Sequence, residues 1–383
     1  MKKFYPIMTA LTASLLFVGC INDELEDGDP TPIRFTTRVG DIKSSDLSTN
    51  TRGIYDESTF TKFNVTAFDN VKAYFENLEA NFQDDNSWKT TVDYYWPQYS
   101  LNFYGYAPAS LKNNVNITAD VHEIKDYTVK SNVKEQDDVI TSYNNASSGT
   151  ENGKVPLFFR HAMVQVELLA KNGSPIDPTN TDPTKTQYQI EVLGAKLCQI
   201  PSTATLTFQN HPDSLPKWST PTGLADYMVK SENGPLLLKD SLESIMFGTP
   251  GFLMIPQQLT AWTGDANNNN GAYIAVLCRI KDKDGNKIYP KSSDDYAFIA
   301  MPIKPKWVPG KKHTFTLMFF TNGGGAGIVP PDLYNPDDHD DPDVDVNPGI
   351  DTGNRVIPDA SMAMVVSEKI SAWEQGETTT VIF

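Results

Sequence analysis

Val155-Pro156-Leu157-Phe158-Phe159-Arg160-His161-Ala162-Met163-Val164-Gln165-Val166-Glu167-Leu168-Leu169 is a run in which apolar and polar residues take turns. Val164, Val166 and Leu168 fall on one face of an extended chain, with Gln165 and Glu167 on the other. A period of two marks a half-buried strand, because successive side chains leave a pleated chain on opposite sides. Working back toward the start, 101–107 and 63–68 read the same way, and Ile33, Phe35, Thr37 and Val39 alternate with polar neighbours. Working forward, 190–197, 204–208, 236–238, 252–255, 273–280, 287–289 and 313–320 are strand candidates rich in Val, Ile, Tyr and Thr. One short helix is expected, over 74–82. The chain therefore reads as all-β.

Loop-like composition divides it. Residues 171–186 are rich in Asn, Pro, Asp and Thr and nearly lack apolar side chains, which predicts β domains over 53–172 and 187–322. Asp282-Lys283-Asp284-Gly285-Asn286 predicts a hairpin turn. The Gly-, Pro- and Asp-rich stretch 323–355 predicts an extended, solvated linker, and 356–383 a last β segment.

At 383 residues, with 11% aromatic and 39% hydrophobic side chains, there is material for about two cores. Forty-eight acidic against 32 basic residues give a net charge of −16 and no basic cluster, so nucleic acid is excluded as a partner. No catalytic or phosphate-binding signature occurs, and neither an enzyme nor a cofactor is expected. His161 reads as a hydrogen-bonded structural histidine. Asp282, Asp284 and Gly285 fit a turn better than a calcium loop, since Ser292 stands where the bidentate acid belongs. The acidic run 337–345 reads as spacer, and no metal site is expected. Cys198 and Cys278 both fall in strands, either bonded or as two buried thiols; Cys278 shares a face with Ile274, Val276 and Ile280. The aromatic group Tyr94, Tyr95, Trp96, Tyr99, Phe103, Tyr104 and Tyr106 reads as core filling rather than a sugar platform.

The N-terminus carries an export signal: Lys2 and Lys3, an apolar run over 7–18, then Gly19-Cys20. It resembles the lipobox of bacterial lipoproteins, in which the Cys, here Cys20, is acylated, typically with palmitate, and becomes the first residue. A plain secretory leader is the alternative. The acidic 22–29 resembles the surface-export signal of Bacteroidetes lipoproteins, with a simple spacer as the alternative. Residues 1–20 are thus read as signal and 21–52 as tether plus a propeptide strand.

Several segments, in order, resemble the Mfa-like fimbrillins of the Bacteroidetes type V pilus. They are Tyr95-Trp96-Pro97 with Leu101, Phe103, Tyr104, Tyr106 and Pro108; Asp137-Asp138-Val139-Ile140; 155–162; Leu253-Met254-Ile255-Pro256-Gln257-Gln258-Leu259; 310–319; and Ile370-Ser371-Ala372-Trp373. Gly105 stands where the family usually has Ala. The resemblance implies two tandem transthyretin-like Greek-key β-sandwiches. It implies an outer-membrane lipoprotein precursor at the cell surface, cut after an Arg by a trypsin-like protease, and then donor-strand exchange with other copies or related pilus subunits. Arg52, in a polar loop, is the expected cleavage site, with Arg38 the runner-up. Ile33, Phe35 and Val39 are expected to plug the groove, and Met362, Met364 and Val366 to form the donor strand. The competing reading is a non-polymerising lipoprotein or tip adhesin with a host or bacterial surface ligand.

Overall fold

The computed structural model describes residues 31–40, 55, 58–174, 186–265, 270–320, 325–331, 341–357, 365–372 and 379–382. Among these the regular structure is strands and three short 3-10 turns, so the all-β expectation holds.

The first sheet contains β1 (Arg34–Val39), β2 (Lys62–Phe68), β3 (Ala73–Phe82), β4 (Trp88–Thr90), β5 (Leu101–Ala107), β8 (Ile140–Ala146) and β9 (Lys154–His161), in the spatial order β1-β9-β8-β5-β2-β3-β4. The second is built on β11 (Tyr188–Thr207). It pairs with β7 (His122–Thr128), β12 (Lys217–Trp218), β13 (Thr222–Lys230), β14 (Leu236–Leu237) and β17 (Tyr273–Asp282). β6 (Val115–Ile117) flanks β7, while β18 (Lys287–Tyr289) and β19 (Ala297–Pro302) flank β17. The third runs β15 (Glu243–Ser244), β10 (Val164–Asn172), β20 (Lys311–Phe319), β21 (Val365–Ala372), β22 (Thr379–Ile382), with β16 (Phe252–Met254) also on β10.

Sheet membership changes along the chain. The chain crosses from the first sheet to the third at Ala162-Met163, inside the run that reads as one alternating stretch. Backbone bonds hold the crossing: Ala162 N donates to Val139 O and Gly310 N to Met163 O, at 2.8 Å each. Residues 115–128, earlier in the chain, join the second sheet through β6 and β7.

Three expectations are corrected. Residues 74–82 form a strand, not a helix. Phe75, Leu78 and Ala80 are buried, and Asn77 sits at φ 50 where the register on β2 shifts. The bulge changes the parity of the buried face, and the resulting spacing of three imitates a helix. The segments 190–197 and 204–208 are one strand, β11, which continues through a second bulge between Leu197 and Ile200, with Gln199 at φ 61.

The third correction concerns 323–355. Its described parts, 325–331 and 341–357, are a strap on the second sheet rather than a solvated linker. Ala326, Val329 and Val356 are buried, and Ile328 forms bridges to Ala300 and Arg355. The acidic residues are tied down. Lys230 Nζ donates to Asp341 at 2.7 Å and Asp343 at 2.9 Å, and Ser293 donates to Asp345 at 2.7 Å. Asp residues with partners of their own are anchors, and sparse apolar residues among the prolines supply the burial.

Burial raises the Asp341 and Asp345 carboxyls, but hydrogen bonds from Lys230 and from Ser292 and Ser293 outweigh it, so both sit below the ordinary aspartate value. A folded-state value below the unfolded one stabilises at neutral pH, and that contribution is lost as pH falls through the folded value. Amide exchange over 341–357 is therefore expected to quicken below about pH 4, after correction for intrinsic rates, while β11 and β17 stay protected. Equal protection of the strap at pH 3 and pH 7 contradicts this.

The hairpin turn at 282–286 forms as expected. Gly285 N donates to Asp282 O at 3.0 Å, and Asp282 Oδ1 accepts from Asp284 N and Asn286 N. Cys198 and Cys278 are both buried and not joined. They lie on opposite faces of the second sheet: Cys278 packs with Ile274, Val276 and Ile280, Cys198 with Tyr273 and Leu277. Burial pushes the Cys278 thiol well up.

Candidate functional site

The first sheet is where the early alternating strand meets the rest of the chain. β1 runs parallel to β9, with Arg34 opposite Lys154 through to Val39 opposite Phe159. Among the described residues β9 ladders with β8 at Ile140–His161 and Thr141–Arg160, and Asn144 Nδ2 of β8 also donates to Pro156 O at 2.6 Å. Along Lys154 to Phe159, β1 is therefore its ladder partner.

The other side of β1 is also walled at its first residues. Ile33 N donates to Tyr94 O at 2.8 Å, and Trp96 N donates to Thr31 O at 3.0 Å. Tyr94 to Trp96 follow β4, so these bonds carry the far end of the sheet back to β1 and close it on itself. Trp96 Nε1 donates to Gly153 O at 3.0 Å, which ties this wall to the start of β9. Gly40 N donates to Phe159 O at 2.9 Å at the other end.

Alternation sends Ile33, Phe35 and Val39 inward, where they are 2%, 4% and 2% exposed. Thr37, on the same side, is half-buried. Phe35 stands edge-on to Phe63 at 5.6 Å and Phe103 at 6.0 Å, so the third residue of the seven, 33–39, packs among aromatic rings. Arg34 pairs with Asp93 at 2.9 Å, with both side chains largely exposed. β1 thus behaves as a closing stave: its main chain completes two walls, and its inner side chains fill an aromatic core.

Gly105 on β5 is part of this fit. A Cβ there stands 2.9 Å from Phe159 Cζ, and Phe159 is opposite Val39. Gly105→Ala is expected to cost about 1–3 kcal/mol through overpacking, read as a lower Tm. An unchanged Tm contradicts it.

The two ends of 41–54 are anchored independently of one another. Gly40 is held as above, and Tyr55 N donates to Asp138 Oδ2 at 2.9 Å. Asp138 also meets His161 Nδ1 at 2.9 Å, with both side chains buried, as expected of a structural histidine. Nothing in the sequence pattern marked Asp138 as an anchor for Tyr55; 137–140 stood out only through the family resemblance.

Cys20 and Arg52 lie outside the described residues. Arg38 lies in β1, its guanidinium 5.7 Å from the centre of the Phe158 ring. Met362 and Met364 also lie outside. Val366 belongs to β21, where its main chain stands opposite Leu317 of β20. Two residues on in β21, Glu368 is buried against His313 Nδ1, and Val308 N donates to His313 Nε2. The sequence reading missed this pair; a lone acid at apolar parity in a terminal strand was the clue.

The aromatic group is split. Phe103 and Trp96 line the first core, and Tyr104 and Tyr106 face the large core shared with the other sheets. Tyr95 and Tyr99 are about half exposed. Among the described residues no group of three or more His, Cys, Asp or Glu is placed to hold a metal.

A family model described as fimbrillin-like matches residues 46–327. No curated protein matches the chain. Solved structures that resemble it include a fimbrial protein from Bacteroides vulgatus ATCC 8482, at 15% identity over 75% of this chain and 94% of that one, TM-score 0.47. Another is a candidate cell adhesion protein from Bacteroides eggerthii DSM 20697, at 11% identity over 91% and 98%, TM-score 0.46. A third, with the same description, is from Parabacteroides distasonis ATCC 8503, at 10% identity over 91% and 97%, TM-score 0.47.

Proposed function

The chain belongs to the fimbrillin-like family, and we propose that it is a structural subunit of a type V pilus, made as a lipid-anchored surface precursor and assembled when a protease removes its first strand. The observation that carries this is the stave geometry of β1. Its inner side chains contribute on the order of 5–8 kcal/mol of apolar burial, and the described chain is anchored at Gly40 on one side of 41–54 and at Tyr55 on the other. A cut at Arg52 separates β1, and the tether ending in Cys20, from a domain whose own anchor at Tyr55 is untouched. The vacated slot then offers unpaired main chain on β9 and an open aromatic pocket. Such an edge is satisfied by a strand from another chain, with main-chain bonds giving affinity and alternate side chains giving specificity.

The donor is the chain around Met362, Met364 and Val366. Val356 is buried within the strap, so the distance from there to Met362 limits the reach of the donor. Six residues from Val356 to Met362 span about 20 Å at roughly 3.4 Å per residue, so the neighbour's slot must lie that close. Donation also requires β21 to leave β20 and Glu368 to leave His313.

That requirement favours a second reading, in which the C-terminal hairpin stays at home and the protein is a tip or non-polymerising adhesin. N-terminal sequencing of protein released from the cell surface separates the two. The pilus reading expects a start at Gly53; a start at Cys20 overturns it. Neither reading calls for catalysis.

A further inference from the structure

Core filling accounts for Trp96, Phe103, Tyr104 and Tyr106, but not for the rest of the aromatic group. Between β4 and β5, residues 91–100 leave Tyr95 and Tyr99 about half exposed, while Tyr94 and Trp96 pack on the first core. Tyr74 of β3 lies against this segment. Its hydroxyl donates to Tyr95 O at 2.8 Å, and its ring stands 6.0 Å from that of Tyr94, edge to face. Burial, and then the neighbouring hydroxyls of Tyr99 and Tyr94, push the Tyr74 phenol above its ordinary value. Arg34 Nη1 donates to Asp93 Oδ1 at 2.9 Å, with both side chains largely exposed. An exposed pair of this kind adds only about 0–1 kcal/mol to folding, and its charged groups stay accessible at the margin of the rings.

The main chain beneath these rings is fixed. Tyr94 O accepts from Ile33 N, Trp96 N donates to Thr31 O, and Pro32 forms a bridge with Tyr95. Trp96 Nε1 donates to Gly153 O. Side chains displayed on a stiff support lose little freedom when a ligand arrives.

We propose that this ledge, Tyr74, Tyr94, Tyr95 and Tyr99 with the Arg34–Asp93 pair, is a binding site for a neutral saccharide. The chemistry of the ledge selects that occupant. Main-chain groups that an added peptide strand would use are already bonded to Thr31 and Ile33, so the ledge offers no ladder for β-augmentation. A net charge of −16 opposes both a second copy and a polyanion. What remains on offer is a set of ring faces with hydroxyl rims, beside one donor fork and one carboxylate. A pyranose presents the complement: a C–H face that packs on an aromatic ring, and an edge of hydroxyls that both donate and accept. The site belongs to the uncut chain, because Arg34 and the bonds at Thr31 and Ile33 come from β1, and it goes beyond either reading of assembly.

The test is an NMR titration of the uncut full-length chain, labelled at its tyrosine rings, with tetrasaccharides of glucose, galactose, mannose and N-acetylglucosamine at millimolar concentration. At least one sugar is expected to shift the ring signals of Tyr95 and Tyr99 and leave those of the buried Tyr227 and Tyr273 in place. Tyr95→Ala, Tyr99→Ala and Arg34→Met are each expected to weaken its binding about fivefold, with Tm unchanged. Leu224→Ala, at an exposed leucine of β13, is expected to leave binding as it was. No shift with any of the four sugars overturns the inference, and a ledge made for a protein partner would give that result. Binding that survives the double variant Tyr95→Ala/Tyr99→Ala overturns it as well. Either failure leaves the pilus reading intact, since that reading is judged by the mature N-terminus and not by sugar binding.

Discussion

Phe35→Ala in the uncut chain is expected to lower the stability of the first sheet and its core by about 3–5 kcal/mol. The ring is 4% exposed and edge-on to two other aromatic rings. Removing it leaves a cavity walled by Phe63 and Phe103, which the ladder bonds of β1 keep from collapsing. Arg38→Ala on the same strand is the control. Its side chain points outward, and such changes usually fall within about 0.5 kcal/mol. Denaturant unfolding of the uncut precursor distinguishes the two. Equal, small losses would mean that β1 is not seated as described. Once β1 has been cut away, the same substitution is expected to have no effect, because the residue is no longer part of the subunit.

His313→Phe is expected to cost on the order of 3–5 kcal/mol, because it strands the Glu368 carboxylate in the core without a donor. The loss is expected to be local: β21 and β22 come off β20, and proteolysis in the C-terminal hairpin rises while the first domain is unaffected. The double variant His313→Phe/Glu368→Leu should recover most of the loss, since replacing a whole buried pair by apolar groups is often neutral. A double variant as unstable as the single one would mean that the pair is not the source. The result bears on the proposed function, which requires Glu368 to be released.

Much of the β framework was legible because burial alternates with period two wherever a strand has one wet face. The turn at 282–286 and β5 fall where the pattern puts them. What failed failed for local reasons. Asn77 takes a positive φ that shifts parity, so a strand read as a helix. Gln199 does the same inside β11, so one strand read as two. The strap misled because Asp341, Asp343 and Asp345 look solvated in composition, and only the fold brings Lys230, Ser292 and Ser293 to them. Ile33, Phe35, Thr37 and Val39 read as one face of a strand from alternation, while the plug role of Ile33, Phe35 and Val39 came from the family resemblance. The second wall was not legible, since Tyr94 and Trp96 act there through main-chain atoms, about which side-chain pattern is silent.

The central claim is that β1 is a removable stave whose loss opens the subunit to another copy. It is tested most directly by cutting purified precursor once, within 41–54, separating the β1 fragment, and imaging cut and uncut protein side by side by electron microscopy. The account predicts fibres from the cut protein and single particles from the uncut. Cut protein that loses the β1 fragment, keeps its remaining strands protected from exchange and still gives only single particles would contradict it.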